Sequence, residues 1–263
     1  MVTGGARGIG RAIAQALDAG GMKVAIGDLD VELAERAAHD LGGNTIGLGL
    51  DVSARASFEQ AIDTVERRRG PLAVLVNNAG IMPVGPFLDE SDATTRRIVD
   101  VNVHGVLHGM KIVLPRFVAR GRGHLVNLAS MAAKVPAAGG VTYTGTKHFV
   151  LGASDAIRQE LRGTGVEVTC VLPGPVQTEM MAGLRPARGV RQVTAAEVAT
   201  AVVAALRRPR FEVHVPAAAG RMHALSLLLP RRAREALMRA LRTDRVLTEI
   251  DHAARHAYEE RVR

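Results

Sequence analysis

Tryptophan is absent from the 263 residues, cysteine occurs once, and aromatic residues make up only 3%. The single cysteine, Cys170, cannot close a disulfide within the chain, which excludes a disulfide scaffold and fits a reducing cytoplasm. The ~20 consecutive apolar residues of a membrane-spanning helix are missing, and no charged start followed by an apolar stretch marks a secretion signal. Scarce aromatics leave little surface on which bases could stack. That weakens the one hint of a polyanionic partner, a net charge of +8 carried by 30 Arg and only 4 Lys scattered along the chain. No nucleic acid is expected as a partner, and no metal site is assigned. What is present, 47% hydrophobic residues over this length, suffices for a full-sized core in a single α/β unit.

Short apolar runs alternate with amphipathic stretches. Strands are expected at 23–28, 45–50, 73–77, 124–129, 166–172 and 211–215, with helical spacing between them, as in Ile13, Ala16 and Leu17 or Phe58, Ile62 and Val65. Continuous apolar strands separated by helices imply a parallel sheet covered on both faces. A first strand has only Met1 and Val2 before the glycine loop, fewer than the five or six residues usual for a strand. The expectation drawn from this is a start upstream of Met1.

The loop itself reads Thr3-Gly4-Gly5-Ala6-Arg7-Gly8-Ile9-Gly10 and runs straight into a helical pattern. Glycines at 4, 8 and 10 permit a tight turn, close approach of a pyrophosphate and close helix packing, while the helix start supplies unpaired N–H donors. Eighteen residues after Gly10, Asp28 ends the next apolar strand. A carboxylate there can accept hydrogen bonds from ribose hydroxyls and would repel the extra phosphate of NADP, so NAD is the expected cofactor. Arg7 offers a positive charge nearby and keeps NADP as the alternative.

Hydride transfer requires a group that cycles a proton at the substrate oxygen. A tyrosine can do so if a positive charge stabilises its phenolate. Tyr143 and Lys147 stand four apart, the spacing that places two side chains on one helix face. Thirteen residues before Tyr143, Ser130 follows an apolar strand, at the carboxyl end where open α/β sheets bind ligands.

Together these pieces resemble the classical short-chain dehydrogenase/reductase family. The matching residues are Thr3 to Gly10, Asp28, Asp51-Val52, Asn77-Asn78-Ala79-Gly80, Asn102, Ser130, Tyr143-x-x-x-Lys147 and Pro173-Gly174-x-Val176-x-Thr178, in order over about the first 215 residues. The resemblance implies a Rossmann-type doubly wound parallel sheet of about seven strands over 1–220, with a helical C-terminal extension over 221–263. It implies that Tyr143 is the acid/base, that Lys147 lowers its pKa and binds the nicotinamide ribose, and that Ser130 orients the substrate oxygen. Asn102 would complete the set by holding a helix kink and a water linked to Lys147. Gly4, Arg7, Gly8, Ile9, Gly10 and Asp28 would hold the cofactor, with Asp51 and Val52 at its adenine. Asn78, Ala79 and Gly80 would line its floor, and Pro173, Gly174, Val176 and Thr178 would frame the nicotinamide. A homo-oligomer, dimer or tetramer, is implied as well, through the helices around 102–118 and 143–161.

Met131, Val135, Pro136, Met180, Met181 and Leu184 are expected to wall the substrate pocket, and their apolar character points to a hydrophobic secondary alcohol or ketone, steroid-, terpenoid- or lipid-like. The alternatives are an NADP-dependent carbonyl or ketoacyl reductase and a catalytically silent dinucleotide-binding scaffold or sensor. In the extension, Leu225 to Leu229 abut Arg231, Arg232 and Arg234. Such a segment can join a subunit interface, cover the substrate mouth or touch an anionic membrane surface peripherally.

Overall fold

The computed structural model describes residues 1–185 and 187–262, with Asp244 by its backbone alone. The first half alternates β1 (Val2–Thr3), α1 (Gly8–Ala19), β2 (Val24–Asp28), α2 (Val31–Leu41), β3 (Thr45–Gly49), α3 (Arg55–Arg69) and β4 (Val74–Asn77). There follow α4 (Asp92–Val99), a π-helical turn (Asp100–His104), α5 (Gly105–Ala119), β5 (Gly123–Leu128), α6 (Val141–Glu160), β6 (Val166–Pro173), α7 (Ala195–Arg207) and β7 (Glu212–Val215). Three helices close the chain: α8 (Ala217–Ser226), α9 (Arg231–Ala240) and α10 (His252–Val262). The seven strands form one parallel sheet in the order β3-β2-β1-β4-β5-β6-β7, the doubly wound Rossmann-type arrangement.

Strand residues alternate between two cores, one on each face of the sheet. Leu75, Leu125 and Leu172 join Phe58, Ile62, Phe117 and Val150 beneath α3, α5 and α6. Their neighbours Val76, Val126 and Val171 join Ile13, Leu17, Ala34, Val198 and Val202 beneath α1, α2 and α7. Both faces are thus dry, which is why these strands read as unbroken apolar runs rather than as alternating ones.

β1 is two residues long yet lies mid-sheet, with Val2 opposite Ile26 on one side and Val76 on the other. Met1 extends the pairing: its carbonyl accepts from the Val76 N–H at 2.9 Å and its amine donates to Val74 O at 2.8 Å. Between β1 and β4 the strand order reverses, and the carboxyl ends of the strands open there into the crevice where such sheets bind ligands. No helix among the described residues is long and apolar enough to cross a membrane.

Candidate active site

The glycine loop leaves β1 and packs onto the loop that follows β4. Gly4 has φ +58°, and a Cβ on it would lie 2.9 Å from Ala79 Cα; one on Gly10 would lie 2.2 Å from Gly4 O. Only glycine fits either position. The Thr3 hydroxyl accepts from the N–H groups of Asn78 and Ala79, both at 3.0 Å, and the Asn78 amide donates to Thr3 O (2.9 Å) and Gly4 O (3.0 Å). Helix α1 begins at Gly8 with no side-chain cap and no acid in its first turn. Its N–H donors are therefore left for an anion. Thr178 closes on this end from the far side, its Cγ2 3.3 Å from where a Gly8 Cβ would be.

Asp28, at the end of β2, accepts from the Ala6 N–H (3.1 Å) with one oxygen and from the Asp30 N–H (3.3 Å) with the other. Arg7 forms an exposed ion pair with Asp30 at 2.8 Å. Asp51 is folded into a local turn in which its carboxylate accepts from both the N–H and the hydroxyl of Ser53. Val52 is buried against Gly105, and Val176 pairs with Val193 inside the second core. Pro173 ends β6, and the Gly174 N–H after it donates to Val215 O at 2.8 Å.

Beside the crevice, β5 delivers Ser130 and α6 delivers Tyr143 and Lys147, one turn apart. The Ser130 oxygen accepts from the Ala132 N–H at 3.1 Å, which leaves the hydroxyl proton to hydrogen-bond the Tyr143 oxygen. Tyr143 is 7% exposed, and burial pushes its pKa up to about 12, against the pull of the Ser130 bond. Lys147 Nζ sits 5.7 Å from the Tyr143 ring centroid and donates to Leu128 O at 2.9 Å. Burial lowers its pKa to about 8.

Asn102 lies within the π turn, where the extra residue rotates its side chain into the site. Its Oδ1 accepts from the Ile81 N–H (2.9 Å), and its Nδ2 donates to Ile81 O (2.9 Å) and Thr146 Oγ1 (3.2 Å). Gly80 brings the groups together: a Cβ on it would lie 3.2 Å from Asn102 Oδ1 and 3.6 Å from Lys147 Nζ.

On the substrate side, Tyr143 forms a small buried cluster with Met82, Leu184 and Leu247, against which Met180, Met181, Val84, Ala132, Ala137, Val246 and Ile250 pack. Of the pocket residues read from sequence, Met180, Met181 and Leu184 gather here. Met131 packs instead toward the core beneath α5 and α6, Val135 is half-buried outside the cluster, and Pro136 is exposed.

The model of the short chain dehydrogenase family matches residues 1–189. The chain belongs to this family. The protein is accordingly an oxidoreductase acting on CH–OH groups. Among its dehydrogenase relatives, the 2,5-dichloro-2,5-cyclohexadiene-1,4-diol dehydrogenase of Sphingobium indicum is 35% identical over 71% of this chain and 76% of the relative. The 1-deoxy-11-beta-hydroxypentalenate dehydrogenase of Streptomyces exfoliatus is 35% identical over 80% of each. The 3-alpha-(or 20-beta)-hydroxysteroid dehydrogenase of Mycobacterium tuberculosis is 36% identical over 68% of this chain and 69% of its own. A short-chain dehydrogenase/reductase from Burkholderia phymatum, solved with NAD, superposes with a TM-score of 0.78 at 26% identity, covering 86% of this chain and 91% of its own. A serine dehydrogenase solved with NADP+ gives 0.75 at 29%, over 81% and 92%.

Side chains at this dehydrogenase's site that the sequence does not announce include Met82 and Thr146, and Leu247, Arg255 and Tyr258 from the C-terminal extension. Burial of Leu247 is common for a leucine and carries no signal by itself. Arg255 and Tyr258 are the buried residues of α10, where sequence periodicity searches for aliphatic side chains.

Proposed function

We propose that this chain transfers a hydride between NAD(H) and a hydrophobic secondary alcohol or ketone, with Tyr143 handling the proton. The observation that supports this best is the convergence of Ser130, Tyr143, Lys147 and Asn102 beside the glycine loop, at the carboxyl end of a doubly wound sheet.

The residues present fit a nicotinamide dinucleotide. An uncapped helix start faces the crevice, glycines 4 and 10 leave no room for side chains, and Thr178 abuts Gly8. Gly4, Gly8, Ile9 and Gly10 would hold its pyrophosphate, Asp28 its adenosine ribose, and Asp51 and Val52 its adenine. Asn78, Ala79 and Gly80 would line its floor, and Pro173, Gly174, Val176 and Thr178 would frame its nicotinamide. When bound, it supplies the hydride acceptor or donor. Asp28 and the Arg7–Asp30 pair favour NAD, because Asp30 already occupies the guanidinium that a 2′-phosphate would need. An NADP-dependent carbonyl or ketoacyl reductase is the second reading, resting on Arg7.

Tyr143 is protonated at neutral pH, since burial holds its pKa at about 12, and it is ready to donate to a carbonyl oxygen. Ser130, with its oxygen held by the Ala132 N–H, turns its one proton from the Tyr143 oxygen to that same substrate oxygen when a carbonyl binds. In the oxidising direction the tyrosine must part with its proton. Lys147, with a pKa of about 8, is charged at pH 7 by roughly ten to one and stabilises the phenolate from the next turn. Asn102 fixes the Ile81 backbone and so the floor beneath Lys147.

The apolar surroundings of Tyr143 suit a steroid-, terpenoid- or lipid-like substrate. The hydroxysteroid and hydroxypentalenate dehydrogenases named above act on carbocycles of that kind. Residues 1–220 are read as the dinucleotide-binding unit and 221–263 as its extension. A cytoplasmic homo-oligomer, dimer or tetramer, is the expected form, and exposed Val118, Val141 and Phe149 on α5 and α6 offer its contact. A second contact is Leu225, Leu227 and Leu228, which are exposed beside Arg231 and Arg232. We assign this patch to a subunit interface; sedimentation of the full chain with anionic vesicles would instead assign it to a peripheral membrane contact.

The test is fluorescence titration with NADH and NADPH followed by a panel of ketones, on the natural sequence and on Tyr143→Phe. NADH should bind about tenfold more tightly than NADPH. Hydrophobic ketones should turn over, and Tyr143→Phe should lower that turnover by about 10²–10⁴ with NADH affinity preserved. Full activity in the variant refutes the role of Tyr143. Turnover of small polyols alone refutes the substrate class, and binding without any turnover makes the chain a sensor or scaffold.

A further inference from the structure

Helix α10 presents Arg255, Tyr258 and Arg261 at intervals of three, along a single stripe. Arg255 is the largest of the fully buried side chains, at 0% exposed. Its Nη1 donates to Met180 O (2.9 Å) and Ala182 O (3.0 Å), its Nη2 to Met82 O (2.5 Å), and its Nε faces Glu259 Oε1 at 3.2 Å. Tyr258 takes the other half of the same backbone unit, its hydroxyl oxygen accepting the Met82 N–H at 2.8 Å. Arg261 pairs with Glu179. One helix thus ties down both segments that flank Tyr143, the loop after β4 and the turn at 179–184.

The stretch before α10 does the same from the other side. The Asp251 N–H donates to Gly183 O at 2.8 Å, and Leu184 and Ile250 form an antiparallel bridge. A Cβ on Gly139 would lie 2.2 Å from Leu247 O, and one on Gly140 would lie 2.7 Å from the Leu247 side chain. Leu247 therefore sits as a lid over the loop between Ser130 and Tyr143, in the buried cluster that leaves the tyrosine almost no exposure.

The chemistry of this fastening matters. A guanidinium held by three backbone carbonyls is a polar contact, and when it separates, water can solvate both sides. Burying it has a desolvation cost that offsets much of its attraction, so a buried charge of this kind is better at selecting one arrangement than at stabilising it. We propose that Arg255 is a positioning residue that sets substrate size: it fastens α10 and Leu247 as a roof packed over Tyr143. A bulky ketone is accepted only when the roof lifts.

This rests on the reading of Tyr143 as acid/base, and the test separates the two. Amide hydrogen exchange and ketone turnover are measured on the full chain and on Arg255→Met, Arg255→Lys and Leu247→Ala. In Arg255→Met the amides of Met82 and Asp251 should exchange about tenfold faster while those of β5 and β6 keep their protection, with Arg255→Lys in between. The ratio of kcat/KM for bulky over small ketones should rise about tenfold in Arg255→Met and Leu247→Ala, through KM, with NADH affinity unchanged. Should Arg255→Met not fold, Arg255→Lys and Leu247→Ala carry the same readings. Unchanged exchange at Met82 and Asp251 overturns the proposal, and so does an unchanged size ratio in an active enzyme. If the natural chain reduces no ketone at all, exchange alone decides the fastening, and only the functional reading falls.

Discussion

Replacing Asn102 by alanine removes three hydrogen bonds at once, two to the Ile81 backbone and one to Thr146. At about 1 kcal/mol net for each bond, the loss is roughly 3 kcal/mol, and it grows to the extent that the Ile81 N–H and C=O stay shielded from water after losing their partner. Asn102 is 1% exposed, so the methyl group of alanine leaves the rest of the space unfilled. Asn102→Asp should be no better: it retains an acceptor for the Ile81 N–H but turns a second oxygen toward Ile81 O, and it buries a charge. Urea unfolding should show both variants destabilised by about 3 kcal/mol with an unchanged slope. Because Ile81 follows the Asn78–Gly80 floor directly, NADH affinity should fall as well. An Asn102→Ala protein within about 1 kcal/mol of the natural chain would refute the claim that the pairing with Ile81 holds this floor.

Gly10→Ala would place a Cβ 2.2 Å from Gly4 O and 2.6 Å from Asn78 Nδ2, so the glycine loop must shift; fluorescence titration should show NADH binding lost. For His124, burial lowers the pKa to about 4, below the ordinary 6.5, so the folded chain gives up its proton first as pH rises. Between pH 4 and 6.5 the unfolded chain holds more protons, and stability should therefore rise with pH across that window, which urea unfolding at pH 4.5 and 7 checks alongside an imidazole NMR titration centred near 4. Lys147, at about 8 against 10.5, has the same sign and adds stability as pH rises through that higher window. Tyr143, at about 12 against 10, has the opposite sign: between those values the folded chain keeps a proton that the unfolded chain has lost, and stability falls. In a pH–rate profile, alcohol oxidation, which needs the phenolate, should quicken as pH rises toward 8 and flatten above it, where Lys147 loses the charge that stabilises the phenolate.

The six strands read from the sequence stand within a residue or two of β2 to β7, because buried parallel strands and glycine-marked turns leave strong local signals. The first strand was visible only as Met1 and Val2, and the structure gives Val2–Thr3 with Met1 adding bonds at its head. The helix kink at Asn102 came from resemblance alone; no composition or spacing announces a π turn, since it is made by tertiary partners, here Ile81 and Thr146. The roof over Tyr143 was hidden for another reason. Helix α10 buries an arginine and a tyrosine, so its inward face reads as polar, and the carbonyls that receive Arg255 lie more than seventy residues away in sequence. Met131, Val135 and Pro136 share with the pocket only their place between Ser130 and Tyr143, and the short 3-10 turn at 131–133 leaves Met131 packed on the core beneath α5 and α6.

The π turn between α4 and α5 makes the most irregular stretch of the longest helical run carry the asparagine of the site. Removing one residue there would restore ordinary α geometry and regular hydrogen bonding, and a design aimed at stability alone would favour the change. Each residue turns the helix by about 100°, so the same deletion would swing every side chain beyond it around the axis and carry Asn102 away from Ile81. The defect is thus a point where improving the helix and preserving the chemistry demand opposite edits, and tolerance to insertion or deletion should be lowest in a segment that local propensity would judge the weakest.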